Sequence, residues 1–89
     1  MHKYVLIMAV VSADTHALMN VHNFGVVCSG SWGYVDHAFR TYVGELDDVH
    51  IESHQFDGDS RSYPVKLAYG TNMQSGDVEI YCIERLWNI

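Results

Sequence analysis

Between Ser31 and Leu46 the apolar side chains Trp32, Val35, Phe39, Tyr42, Val43 and Leu46 recur at spacings of three and four. Wound at about 100° per residue, they fall within an arc of roughly 100°, and Asp36, His37, Arg40, Thr41 and Glu45 lie outside it. This periodicity predicts one amphipathic helix from Ser31 to Leu46. Ser31 suits the N-cap, where its hydroxyl accepts from an unpaired backbone N–H. Asp36 and Arg40 stand four apart in the favourable acid-first order, and Gly44 or the Asp47-Asp48 pair marks the exit.

The remaining apolar segments have the pattern of strands. Tyr4 to Val11 is a near-continuous run rich in β-branched residues, which suits a central strand. After the turn chemistry of Ser12-Ala13-Asp14-Thr15, alternation predicts a second strand from His16 to Cys28, with Gly25 marking a bulge. A short helix from Asp14 to Asn23 competes with its first half. Val49 to Phe56 predicts a third strand, and Asp57 to Ser62 a polar loop. Pro64 opens a fourth strand that runs to Tyr69, Gly70 to Gly76 makes a hairpin loop, and Asp77 to Leu86 is the last strand. On that strand Val78, Ile80 and Cys82 share one face, and Tyr81, Ile83 and Trp87 the other. The order β-β-α-β-β-β implies an α+β fold: a small antiparallel sheet, one helix packed on one face, and aromatics such as Tyr81 and Trp87 on the open face available to a partner.

With 89 residues, two independent cores would not fit, so residues 1–89 form a single domain. A hydrophobic content of 48% without repeats or low-complexity tracts excludes a disordered chain. Lys3, the run from Tyr4 to Val11 and the small residues near Ala13 sketch a secretory signal, but every part is short. The same run is too brief to span a bilayer, which takes about 20 residues, so no membrane association is expected. Cys28 and Cys82 have no metal-type spacing and sit in apolar strand-like surroundings. Buried free thiols and a reduced, cytoplasmic setting follow.

Charge is the more informative quantity. Eleven acids against five bases give a formal net charge of −6, which argues against direct binding of nucleic acid. The acids are also unevenly placed: Glu45, Asp47, Asp48, Glu52, Asp57 and Asp59 fall in a stretch of fifteen residues that contains no Lys or Arg. Such a run is either a solvated surface or a patch that meets a basic protein.

Candidate chemistry is sparse. On a strand, His50, Glu52 and His54 would point to one face, a reasonable ligand set for a divalent metal. Alternate residues stand about 7 Å apart, however, so one ion would reach both imidazoles only if the chain bent. Asp57-Gly58-Asp59-Ser60-Arg61 has the start of a calcium loop, but Arg61 and Ala68 occupy positions where that loop needs oxygen ligands. There is no nucleophile elbow and no phosphate loop, and Gly30-Ser31-Trp32-Gly33 is only a superficial hint of one. Neither an enzyme nor a bound cofactor is expected.

A small acidic protein-binding module is therefore expected, using Glu45, Asp47, Asp48, Glu52, Asp57 and Asp59 against a partner with a basic surface, such as a nucleic-acid-binding protein. In size, charge and lack of catalytic motifs the chain resembles small phage-encoded inhibitors of host defence, including anti-CRISPR proteins. That resemblance implies inhibition of a nucleic-acid-handling host protein. The alternatives are a small metal- or ligand-binding protein using His50, Glu52 and His54, and a structural domain that self-assembles into a homo-oligomer.

Overall fold

A computed structural model describes residues 2–11, 21–53 and 62–87. The elements along the chain are β1 (His2–Val11), β2 (Val21–Gly30), α1 (Trp32–Val43), β3 (Asp47–Ser53), β4 (Ser62–Thr71) and β5 (Val78–Trp87). The strands form one sheet in the order β2-β1-β5-β4-β3, and every neighbouring pair is antiparallel. The α+β class with one helix on one face therefore holds, although the order across the sheet differs from the order along the chain. The apolar run of β1 is paired on both sides, by β2 and by β5, as its continuous hydrophobicity requires.

Because β2 and β3 lie at opposite edges, the segment between them must cross the whole sheet. Four strand spacings amount to about 19 Å, and a twelve-residue helix is about 18 Å long. The helix fits that span. Ser31 caps it as expected, its Oγ accepting from the Tyr34 N–H at 3.4 Å, and Gly44 closes it by donating its N–H to the Arg40 carbonyl at 2.9 Å. It ends before Leu46, which packs on the core from the connection to β3. Val35, Phe39 and Val43 from the stripe are buried against Leu6, Ala68, Tyr81 and Ile83 of the sheet. Tyr42, at one margin of the stripe, and Trp32, at the first position of the helix, stay partly exposed.

Several expectations need correction. The second strand is present over Val21–Gly30, two residues past its expected end at Cys28, so the competing helix fails at Val21 to Asn23; residues 12–20 lie outside the described residues. Gly25 pairs regularly with Met8; the bulges of β2 fall instead at Val27 and His22, where the register against β1 shifts. The extra residue lets Val27 and Cys28, adjacent in sequence, both pack on the core. Gly70 and Thr71 belong to β4, not to the following loop. A Cβ at Gly70 would lie 2.9 Å from the Asp47 carbonyl oxygen and 2.9 Å from the Leu46 Cβ. Only glycine lets the helix-to-β3 connection cross β4 so closely.

Candidate functional site

β3 is an edge strand, and each of its seven residues is exposed. The helix lies over β1, β2, β5 and β4, so β3 projects beyond its cover. Its two faces differ chemically. Val49 and Ile51, 38% and 52% exposed, turn to the helix side, where they line a groove of about 510 Å³ with Phe39, Val43 and Leu46. Asp47, His50 and Glu52 stand opposite Thr71, Tyr69 and Leu67 of β4 and so share the other face. Between them Asp48 takes a left-handed φ of 53° within a bulge, a conformation that Asp tolerates better than most residues.

The acidic run is thus partly assembled. Glu45, Asp47, Asp48 and Glu52 are all exposed around the start and outer face of β3, and Asp57 and Asp59 lie outside the described residues. His50 and Glu52 do share a face, with Nε2 and Oε1 3.3 Å apart, and the His50 ring packs on Tyr69 at 5.1 Å. His54 lies outside the described residues. Among those described, no group of three or more His, Cys, Asp and Glu side chains converges as a metal set.

The rim of the groove is basic, a feature the sequence reading missed. The helical periodicity sets Asp36 on the polar arc with Arg40 as its partner, and Arg40 Nε does reach Asp36 Oδ2 at 2.9 Å. Yet Asp36 is only 8% exposed, because Lys66 of β4 donates to its Oδ1 at 2.9 Å and passes over the Phe39 ring at 4.8 Å. One carboxylate therefore holds two cations and ties the helix to the sheet.

The open face is also not as expected. Tyr81 points under the helix, where it is 2% exposed and stacks on Tyr42 at 5.5 Å, so it offers no contact to a partner there. Parity along β5 separated the two faces correctly; which face the helix covers is decided by the neighbouring strands. Trp87 belongs to β5, and nothing more is described of its side chain. Instead the register lines up Val26, Ile7, Cys82 and Leu67 as one apolar row ending at Glu52. Cys28 faces the helix and Cys82 the open side, so the two free thiols are separated by the sheet itself. Burial pushes the Cys82 thiol up to about 11, with Glu84 adding to the shift.

No family model, curated protein or solved structure matches the chain. Among the described residues no helix is long and apolar enough to cross a membrane.

Proposed function

We propose that this protein is a binding module whose β3 edge receives an extended, basic segment of another protein. The observation that carries the reading is the state of β3: an edge strand exposed at every residue, carboxylates on one face and an apolar groove on the other. An edge strand presents unpaired N–H and C=O groups to which a further strand can add. The added strand would set Lys or Arg beside Asp47 and Glu52, and on alternate positions set apolar side chains beside Val49 and Ile51 in the groove. The absence of any Lys or Arg from β3 favours that partner over an acidic one. A narrower role, inhibition of a nucleic-acid-handling protein, rests on size and charge alone.

A labelled peptide alternating Lys with Val tests the reading, with its Glu-Val counterpart as control. The Lys-Val peptide is expected to bind, with association that slows steeply as salt rises from 0.01 to 1 M, over which the screening length falls from about 30 to about 3 Å. The triple variant Asp47→Asn, Asp48→Asn, Glu52→Gln should lose most of that binding while melting normally, since exposed charges contribute little to stability. Association of the same rate at low and high salt, or equal binding of both peptides, would remove the acidic edge from the function.

A further inference from the structure

A second cavity, of about 680 Å³, opens where the helix exit meets the β4–β5 turn. Tyr42, Tyr81, Met8 and Met73 give it aromatic and thioether walls; among the described residues, Glu45 and Glu79 are its charged lining residues and no Lys, Arg or His lines it. Glu79 is held in place rather than mobile. Its Oε1 accepts from the Tyr81 hydroxyl at 2.7 Å and its Oε2 from the Asn72 side-chain amide at 2.7 Å. Asn72 is fixed in turn, because its Oδ1 accepts from the backbone N–H groups of Gln74 at 2.9 Å and Ser75 at 3.3 Å. That network also settles which end of the amide faces Glu79.

Both donors to Glu79 are neutral, so they orient the carboxylate without cancelling its charge, and each oxygen retains acceptor capacity. Around it stand polarisable groups that take alkyl chains, together with tyrosine rings whose faces carry negative potential. Anionic acceptors, aromatic faces and thioethers in one concavity suit a ligand that is positive at one end and apolar at the other. From this geometry we infer that the cavity binds a protonated alkylamine, the ammonium between Glu79 and Glu45 and the alkyl part against Tyr42, Met8 and Met73. The site shares Glu45 with the acidic run but none of Asp47, Asp48 and Glu52, and it does not depend on the function proposed for the β3 edge.

Butylammonium, butanol and butyrate, titrated into the protein and followed by methyl and aromatic NMR shifts, test the inference. Butylammonium alone should move the Met8, Met73 and Tyr42 signals to saturation. Glu79→Gln, which keeps the side-chain shape and an acceptor for Tyr81, should weaken that binding about tenfold, as expected for losing a charge-assisted hydrogen bond. Should Glu79→Gln fail to fold, Glu45→Gln at the exposed rim decides, with a loss of about threefold or more. Glu52→Gln should leave binding unchanged, which separates this site from the β3 edge. Equal shifts from butanol and butyrate, shifts confined to other residues, or unaltered binding in a folded Glu79→Gln or Glu45→Gln variant would overturn the inference.

Discussion

Burying Asp36 costs hydration that Lys66 and Arg40 must offset, and the two do so unequally. The Lys66 side chain is 16% exposed and the Arg40 side chain 73%. Asp36→Ala should cost about 3 kcal/mol, because Lys66 would be left without its partner against the Phe39 ring. Arg40→Ala should cost less than about 1 kcal/mol, as exposed ion pairs do. Denaturant melts of the two variants check the ordering, and equal losses would mean that Lys66 is not the partner that matters. Cys82 gives the corresponding pH dependence. Its thiol titrates ordinarily at 9.0 and in the fold at about 11. Below pH 9 both folded and unfolded chains hold the proton, and its contribution to stability is complete. Between 9 and 11 the unfolded chain releases a proton that the fold retains, so stability falls as pH rises. Burial raises the Tyr81 hydroxyl as well, helped by its bond to Glu79, and the loss continues in the same direction above its ordinary 10.0. Urea midpoints from pH 8 to 11 should decline through that window, and Cys82→Ser should make the decline shallower. Alkylation of Cys82 at pH 8 should be slower than that of a free thiol for the same reason.

At the scale of elements, the helix was the most readable part because its signal is local. Phe39 lies at the middle of the stripe and is 1% exposed, and Phe39→Ala should cost about 3–5 kcal/mol through lost burial and the cavity left behind. Its melting transition checks this, and a loss below 1 kcal/mol would mean that the helix is not what closes the core. The strands were readable as strands for a similar reason, since alternation and β-branching act over a few residues. Their arrangement was not. The salt link from Asp36 to Lys66 spans thirty positions, and nothing in either neighbourhood announces the other. Parity along β5 distinguishes two faces without saying which one a helix will cover, so the sequence alone is as consistent with an open-face Tyr81 as with a covered one. The acidic run was visible as composition, whereas its position on an uncovered edge strand follows only from the β2-β1-β5-β4-β3 order. Gly70 makes the same point. It looked like loop punctuation, yet it is needed because Leu46 and Asp47 pass over it. Gly70→Ala should cost about 1–3 kcal/mol by overpacking against a backbone carbonyl, and an unchanged melting temperature would show that the crossing chain can yield.

For the molecule as a whole, the β3 edge poses a problem of specificity as well as an opportunity. A sheet edge with exposed Val49 and Ile51 is a template for any strand, including a second copy of itself. Pairing two copies along β3 would bring two sets of Asp47, Asp48 and Glu52 into one ribbon, and like charges that close are destabilising. The carboxylates proposed to meet a basic partner would therefore also oppose self-assembly, so that one surface could both attract and discriminate. Removing three of them takes the formal net charge from −6 to −3, while the apolar groove behind them is left intact. The triple variant Asp47→Asn, Asp48→Asn, Glu52→Gln should then self-associate as its concentration rises, whereas the unaltered protein should sediment as a monomer at low salt. High salt should move the unaltered protein in the same direction, because at 1 M the screening length is only about 3 Å. Sedimentation velocity across concentration and salt checks both. A variant that stays monomeric throughout would show that the carboxylates do not guard the edge. Any loss of Lys-Val peptide binding in that variant would then report recognition alone, uncomplicated by competition from its own β3.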